Sequence, residues 1–275
     1  MVGAGYVAGV PTFDHDGLVL HYSERGDPEG PPFVMVHGLL WSSRMLRRIA
    51  ELLPGQRVLL LDVRGHGASD RPTDPARYSW SALAGDVVAL LDHLGIDRAV
   101  VGGLSLGANV TLAVAAEHPD RVAAIVPEMP VLDRAFTFGH AAFGALATTL
   151  ETTGPVLGPV TRTVAKVPVP GGIPELAAVR DVLSLDPEAG AALVRGLLAD
   201  DLTFARIDAP HLTMPALVIG HRGDPLHVLA DARQLAEELP DARLDVRWSM
   251  ADYRVRPDRL ARLLTDFLTE VGPVA

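Results

Sequence analysis

Cysteine is absent from the 275-residue chain. This absence excludes disulfides, thiolate nucleophiles and zinc–thiolate sites, so any chemistry must use oxygen or imidazole. An excess of basic residues is absent too, because 24 Lys and Arg stand against 34 Asp and Glu, a formal net charge of -10. That balance argues against a nucleic-acid partner, whose phosphate backbone attracts positive charge.

Long apolar runs are also missing. In the stretch 129–211, which is rich in Ala, Leu and Val, Gly and Pro interrupt every run before it reaches the roughly 20 residues that span a bilayer. Residues 1–10 lack the basic start and the apolar length of a signal peptide. We therefore expect a cytoplasmic protein without a membrane anchor, whose 48% hydrophobic content suffices for a globular core.

Short apolar runs alternate with helical patterns and predict a parallel sheet that is buried on both faces. These runs are 33–36, 58–61, 99–101, 122–126, 216–219 and 244–248. Apolar stripes at helical spacing within 83–94 and 260–268 predict helices that cover the sheet. The pair Asp16-Gly17 is typical of a hairpin turn and predicts that the sheet begins with antiparallel strands. The expected fold is α/β, with a mostly parallel sheet and helices on both faces.

The stretch 129–211 breaks this alternation with helix-like pieces and the turn-rich segment VPVPGGIP at 167–174. We predict a core made of residues 1–128 and 212–275, and a helical lid made of residues 129–211. Lids of this kind lie above the carboxyl ends of the strands, where an open α/β sheet binds its ligand. The apolar composition of the stretch indicates a small, apolar substrate.

The strongest chemical motif is Gly103-Leu104-Ser105-Leu106-Gly107, which follows one predicted strand and precedes a helical pattern. Glycines at these positions permit a tight turn that holds the serine hydroxyl clear of the backbone, the arrangement called a nucleophile elbow. A plain strand-to-helix turn with a capping serine is the simpler interpretation of the five residues alone. The strand-turn-helix context favours Ser105 as a nucleophile.

A second motif, His37-Gly38-Leu39-Leu40, follows the predicted strand 33–36. The amides of Leu39 and Leu106 can therefore point into the same space, and two preorganised amides are what a tetrahedral oxyanion needs. We interpret the His37 side chain as structural, holding its loop by hydrogen bonds.

A third motif, DVRGHGAS at 62–69, closes the next predicted strand with a glycine-rich loop. The three motifs in this order resemble the α/β-hydrolase superfamily, in particular its capped esterases, lactonases and cofactor-free haloperoxidase-like members. The resemblance covers nearly the whole chain outside 129–211. It implies that the 62–69 loop is structural, with Arg64 and His66 as scaffold residues.

The resemblance also implies a catalytic acid in the turn after the strand that follows the lid, and Asp224 fits that position. An aspartate that caps a turn before proline is the ordinary alternative, and Glu128 is a weaker candidate for the acid. The histidine of the family is expected after the last strand, where this chain has Met250. No histidine follows His227 anywhere in the sequence.

Three interpretations of the missing base remain open. In the first, His227 supplies the imidazole from a position three residues beyond the acid, since triads are defined by geometry and not by order. In the second, another pocket histidine, His37 or His140, takes its place. In the third, hydrolysis has been lost, or a carboxylate such as Asp252 fills the region beside Arg254.

We expect a serine-dependent hydrolase of small or medium apolar carboxylic esters or lactones, with a non-standard or impaired base and slow turnover. The alternative is a non-hydrolytic binding protein or a lyase-like enzyme of the same fold. Neither a metal nor an organic cofactor is expected, because the 10 histidines show no ligand spacing with carboxylates. The residues expected to line the substrate pocket are His37, Leu40, Trp41, His140 and Met250.

Overall fold

The computed structural model of the protein describes residues 11–165, 167, 174–200, 202, 204–224, 226–249, 256–272 and 274. The expectations for residues 1–10, for most of the 167–174 segment and for Met250, Asp252 and Arg254 concern residues outside this set. Across the described ranges, a single sheet has the strand order β1-β2-β4-β3-β5-β6-β7-β8. The strands are β1 (Thr12–His15), β2 (Leu18–Gly26), β3 (Pro32–Val36), β4 (Arg57–Asp62), β5 (Ala99–Leu104), β6 (Val122–Glu128), β7 (Ala216–His221) and β8 (Ala242–Arg247).

The sheet begins with the predicted hairpin. Strands β1 and β2 pair antiparallel, and the residues between them, Asp16 and Gly17, have φ angles of 54° and 71°. Positive φ at both central positions is typical of the tight turn that matches the twist of a two-stranded ribbon. Strand β2 also pairs antiparallel with β4, whereas every later pairing in the sheet is parallel. The prediction of a mostly parallel sheet with an antiparallel start is confirmed.

Helices cover both faces of the sheet. They are α1 (Arg47–Ala50), α2 (Trp80–Leu94), α3 (Leu106–Glu117), α8 (Leu229–Glu238) and α9 (Pro257–Val271). The apolar stripe of α2, which includes Leu83 and Val87, is buried in the larger hydrophobic core with α3 and α8. The stripe of α9, which includes Leu264 and Phe267, is buried in a second core with α1 on the opposite face. The predicted helical stripes are therefore the faces that pack on the sheet.

Between β6 and β7 the chain forms a helical insertion. Its helices are α4 (Asp133–Ala165), α5 (Pro174–Leu183), α6 (Pro187–Ala199) and α7 (Phe204–Ile207). Helix α6 packs on α4 and on the 75–77 turn of the core, where Gly196 lies against the backbone of Pro75 and Tyr78. The mostly helical character expected for this stretch is confirmed. Among the described helices, none has the length and hydropathy needed to cross a membrane.

Candidate active site

Ser105 occupies a strained turn between β5 and α3. Its φ and ψ angles are 56° and -111°, a backbone conformation that costs a non-glycine residue about 1–3 kcal/mol. Its amide donates a hydrogen bond of 2.9 Å to the carbonyl oxygen of Glu128, and its own carbonyl accepts the Asn109 amide at 3.1 Å. The turn therefore has the geometry of a nucleophile elbow, as the sequence predicted.

The two motif glycines are required by close backbone approach. A Cβ atom on Gly107 would overlap the carbonyl oxygen of Val36, and one on Gly103 would lie 2.6 Å from that same oxygen. A Cβ atom cannot be accommodated at these distances, so α3 can begin directly against the end of β3 only if these two positions are glycine. The tight turn places Ser105 at the carboxyl edge of the sheet.

The structure brings His227 and Asp224 to Ser105. His227 Nε2 lies 2.9 Å from Ser105 Oγ, across 122 residues of sequence. On the other side of the ring, Nδ1 lies 3.0 Å from Asp224 Oδ2, the distance of an ion pair, although the two groups are not aligned as in a straight hydrogen bond. Both side chains are mostly buried, with 14% exposure for His227 and 20% for Asp224. A serine, an imidazole and a carboxylate thus form a continuous chain.

The turn after β7 fixes Asp224 through its backbone. Asp224 Oδ1 accepts the amides of Leu226 at 2.8 Å and His227 at 3.0 Å. Burial acts to raise the pKa of the Asp224 carboxyl, but the neighbouring His227 charge and the hydrogen bonds outweigh it, so this pKa lies below its ordinary value. The carboxylate is therefore ionised at neutral pH and remains available to the ring.

Leu39 and Leu106 lie beside Ser105. Leu106 is the first residue of α3, and Leu39 belongs to the 38–43 loop that follows β3. The ring of His37 donates from Nδ1 to the Gly38 carbonyl at 2.9 Å, and the Trp41 amide donates to the same oxygen at 3.2 Å. These bonds fix the shape of the 38–43 loop from within.

Below this loop, His37 and His66 form a buried pair of rings whose centroids are 4.7 Å apart. Burial lowers the pKa of both imidazoles, that of His66 to about 3. His66 donates from Nδ1 to the Arg64 carbonyl at 3.0 Å. Arg64 itself forms a buried ion pair with Asp86, at 2.7 Å. These residues have the contacts of a scaffold, as the family resemblance implied for Arg64 and His66.

Glu128, the weaker candidate for the acid, ends β6 and is buried. Its Oε1 lies 3.2 Å from Nε2 of His221, which ends the adjacent strand β7. The structure therefore places this carboxylate against a different histidine from the one that contacts Ser105. Sequence reasoning did not anticipate the Glu128–His221 pair, and the signal that could have found it is the alignment of two strand ends in a parallel sheet.

An apolar cavity of about 60 Å³ opens beside Ser105. It is lined by Leu39, Trp80, Ser105, Leu106, Asn109, Val131, Phe143, Val194, Leu197 and Leu198. Of the pocket residues expected from sequence, His37, Leu40, Trp41 and His140 are not among the lining residues. His37 is fully buried beneath the loop, Leu40 adopts a φ of 65° next to Leu39, and His140 is exposed on α4.

Much of the cavity wall comes from the insertion, which sequence reasoning could not resolve residue by residue. Phe143 from α4 and Val194, Leu197 and Leu198 from α6 all contribute. Asn109 ties the start of the insertion to α3, because its side-chain amide donates to the Val131 carbonyl at 2.7 Å and accepts the Val131 amide at 2.9 Å. The start of the insertion is therefore fixed to α3, and the side chains of α4 and α6 share a cavity with Ser105. Within the described ranges, no group of three or more His, Asp or Glu residues is placed to hold a metal ion.

The fold and the elbow serine define a class of protein, the α/β hydrolases. A family model described as the alpha/beta hydrolase fold matches residues 31–164. The chain is 30% identical over 240 residues to 3-oxoadipate enol-lactonase 2 of Acinetobacter baylyi, covering 86% of this chain and 87% of that protein. The protein belongs to the α/β-hydrolase family.

Further similarities agree with this membership. The crystal structure of the enol-lactonase from Burkholderia xenovorans LB400 has a TM-score of 0.76 and 30% identity, covering 94% of this chain and all 100% of that one. Epoxide hydrolase A of Mycobacterium tuberculosis is 38% identical over 135 residues, which span 46% of this chain and 41% of that protein. The first similarity extends over the insertion as well as the sheet, whereas the second covers less than half of either chain.

Proposed function

We propose that this protein is a serine hydrolase that cleaves uncharged, apolar carboxylic esters or lactones. Ser105 is the nucleophile, His227 is the general base, and Asp224 orients and stabilises the imidazolium. The observation that carries the proposal is the contact of His227 with both partners, 2.9 Å to Ser105 Oγ and 3.0 Å to Asp224 Oδ2. The base is non-standard in its place along the chain, since it follows the acid by three residues.

The reaction follows from the direction of these contacts. With the Nδ1 proton directed to Asp224, Nε2 of His227 is free to accept the hydroxyl proton as Ser105 Oγ attacks the substrate carbonyl carbon. The imidazolium then gives this proton to the departing alkoxide, which leaves an acyl group on Ser105. A water molecule, deprotonated by the same nitrogen, attacks the acyl carbon. The imidazolium then returns that proton to Ser105 Oγ as the bond to the acyl carbon breaks and the acid is released. In a lactone the alkoxide stays attached to the acyl part, and the product is one hydroxy acid.

The negative charge that develops on the carbonyl oxygen needs donors at the elbow. We assign this role to the backbone amides of Leu39 and Leu106, whose residues line the cavity together with Ser105. An amide at the first position of a helix has no partner within the helix, and the helix dipole favours negative charge there. Removing one oxyanion donor typically raises the barrier by about 2.7–4 kcal/mol.

The substrate class follows from the cavity wall. The described lining residues carry no charged side chain, and the polar side chains among them are Ser105, Trp80 and Asn109, of which Asn109 is already bonded to Val131. A charged acyl group would lose its hydration there without gaining a partner. The names of the similar proteins, two of which are enol-lactonases, support ester or lactone chemistry. We propose residues 129–211 as the lid over a core of residues 1–128 and 212–275.

The test is the Ser105→Ala variant, assayed with p-nitrophenyl acetate and with a small neutral lactone. We expect the variant to lose esterase activity, and we expect a fluorophosphonate to add one phosphonyl group at Ser105 of the unaltered protein. Ser81→Ala, on the exposed side of α2, is the matched control and retains both properties. Unchanged turnover by Ser105→Ala, or no labelling at Ser105, would favour the non-hydrolytic binding protein instead.

A further inference from the structure

A buried carboxylate on the insertion contacts the loop that carries Leu39. Asp181 of α5 is only 7% exposed, and its Oδ2 accepts the hydroxyl of Ser42 at 2.5 Å. Nη1 of Arg44 donates to both Asp181 oxygens, at 2.8 and 2.9 Å. The side chain of Arg180 adds a further hydrogen bond to Oδ1 at 2.8 Å. Asp181 is thus held by a hydroxyl and two guanidinium groups.

These contacts join distant parts of the chain. Ser42 and Asp181 are separated by 139 residues, and Ser42 is completely buried at the second-last position of the 38–43 loop. The next residue, Ser43, donates its amide to Asp62 Oδ1 at 2.7 Å from the core side. The loop is therefore held by one carboxylate of the sheet and by another of the insertion.

The two attachments differ in what they depend on. Asp62 is the last residue of β4, so its bond to Ser43 belongs to the core and is independent of the insertion. Asp181 reaches Ser42 only when α5 is seated against the segment 43–46. Charge-assisted hydrogen bonds of this kind are about twice as strong as neutral ones and have strict geometry. A change in the position of α5 would therefore be transmitted to the loop.

We propose that Asp181 is a positioning residue that aligns the Leu39 amide with the developing oxyanion when the insertion is seated on the core. This inference rests on the proposed function, because it assumes that the Leu39 amide stabilises the transition state. Asp181 acts through Ser42 and the 38–43 loop. The loss of this alignment should accordingly appear in kcat, since removing an interaction made only in the transition state lowers kcat without raising KM.

The first test is Asp181→Asn, which keeps the size of the side chain but removes its charge. We expect kcat for p-nitrophenyl acetate to fall about tenfold while KM changes less than twofold, a partial loss compared with removal of an oxyanion donor. An alkyl trifluoromethyl ketone forms an adduct with the serine that carries the same oxyanion. Its inhibition constant should rise in parallel with the fall in kcat, which a purely structural role of Asp181 would not produce.

Ser42→Ala provides a second variant, which removes the bond from the loop side and leaves α5 unchanged. We expect Ser42→Ala to lower kcat in the same way. The kcat of the double variant Ser42→Ala/Asp181→Asn should be no lower than that of the less active single variant, because both substitutions remove the same linkage. Ser42→Ala decides the question if Asp181→Asn fails to fold. Glu188→Gln, an exposed acidic position on α6, is the matched control and keeps wild-type kinetics.

Three outcomes would overturn the inference. One is a lower melting temperature with unchanged kcat and inhibitor affinity, which would make Asp181 a purely structural residue. Another is a rise in KM alone, which would place its effect in substrate binding. The third is a combination of two results: the trifluoromethyl ketone does not inhibit the wild-type protein, and Ser105→Ala turns over the ester at the wild-type rate. Only this third outcome would also remove the proposed function, so the two failures are distinguishable.

Discussion

The contact between His227 and Ser105 makes a quantitative prediction for the variant His227→Gln. Glutamine can still donate or accept a hydrogen bond at this position, but it cannot take up the proton of the serine hydroxyl. The 2.9 Å separation lies within the reach of direct proton transfer, for which a positioned base typically contributes about 10²- to 10⁴-fold. At about 1.36 kcal/mol per factor of ten, the variant should lose roughly 2.7–5.4 kcal/mol of transition-state stabilisation.

The structure also predicts that this loss will not come from unfolding. The backbone amide of His227 bonds Asp224 Oδ1 at 3.0 Å, and substituting the side chain by Gln or Ala leaves that amide in place. His227 does not belong to either hydrophobic core. We therefore expect His227→Gln and His227→Ala to melt within a few degrees of the unaltered protein.

The assay is the hydrolysis of p-nitrophenyl acetate over a range of pH values. Both His227 variants should lose most of kcat across that range, because the serine hydroxyl then has no positioned base. The chain contains a matched control, because His211 also lies three residues after an aspartate and contacts Asp208 at 2.8 Å, but it is 81% exposed and outside the cavity lining. His211→Gln should leave the profile unchanged. If both His227 variants keep the wild-type rate and pH profile, His227 is not the base.

The other predictions concern the acid, the elbow and the cavity. Asp224→Asn should lower kcat, though less than Ser105→Ala does. Because the pKa of Asp224 is depressed in the folded protein, its ionised carboxylate stabilises the fold above its ordinary pKa, and this stabilisation disappears as pH falls through the folded pKa. In melting curves from pH 7 to pH 3, the melting temperature of the Asn variant should therefore fall less than that of the wild-type protein. Gly107→Ala should prevent folding or lower the free energy of unfolding by several kcal/mol in urea titrations, since its Cβ would overlap the Val36 carbonyl oxygen. The control Gly144→Ala, at a helical position with open space around it, should instead raise the free energy of unfolding by about 0.5–1 kcal/mol. Leu197→Ala should raise the ratio of hexanoate to acetate ester hydrolysis about tenfold, because one methylene in an apolar pocket is worth about 1–3 kcal/mol; an unchanged ratio would mean that the acyl chain lies elsewhere.

The fold could be predicted from sequence because its signals are local. Strands buried on both faces are continuous apolar runs, and each of the predicted runs lies within or across an observed strand. The sequence pattern misplaces one boundary at the sheet edge: the run 244–248 predicts a strand that includes Trp248, whereas β8 spans Ala242–Arg247 and Trp248 is 71% exposed. An edge strand is covered on fewer sides, so its hydrophobic pattern marks its ends less sharply.

The turn that carries Ser105, the proposed nucleophile, could also be predicted, because a strand, a glycine-flanked serine and a helix are contiguous in sequence. The cavity wall could not. Val194 and Leu197 are ordinary apolar residues of an amphipathic helix, and nothing in their spacing distinguishes a side chain that packs on the core from one that faces Ser105. The contact of Asp181 with Ser42 depends on the docking of α5 and has no local signal at all.

The position of His227 is understandable from the strand order. Strand β6 alone lies between β5, which ends at the serine, and β7, which leads into the Asp224–His227 turn. Neighbouring strands are about 4.8 Å apart, so the turn has to reach across only about 10 Å. It is anchored to β8 on its other side, since the Arg222 amide bonds the Arg247 carbonyl at 2.9 Å and the Gly223 amide bonds the Trp248 carbonyl at 2.9 Å.

The proposed acid and base lie in one turn, and this turn sets their alignment. When the two groups lie in separate loops, their alignment depends on two loop conformations, whereas Asp224 and His227 share one turn and one backbone hydrogen bond. Their relative position is therefore set by a few dihedral angles close to the sheet. The cost is directional, because a spacing of only three residues restricts the orientation of the ring, and the Nδ1 contact at 3.0 Å is not aligned as a straight hydrogen bond. Since the orienting acid depends on that alignment, a weaker dependence of kcat on Asp224 than on His227 is the kinetic pattern that this geometry favours.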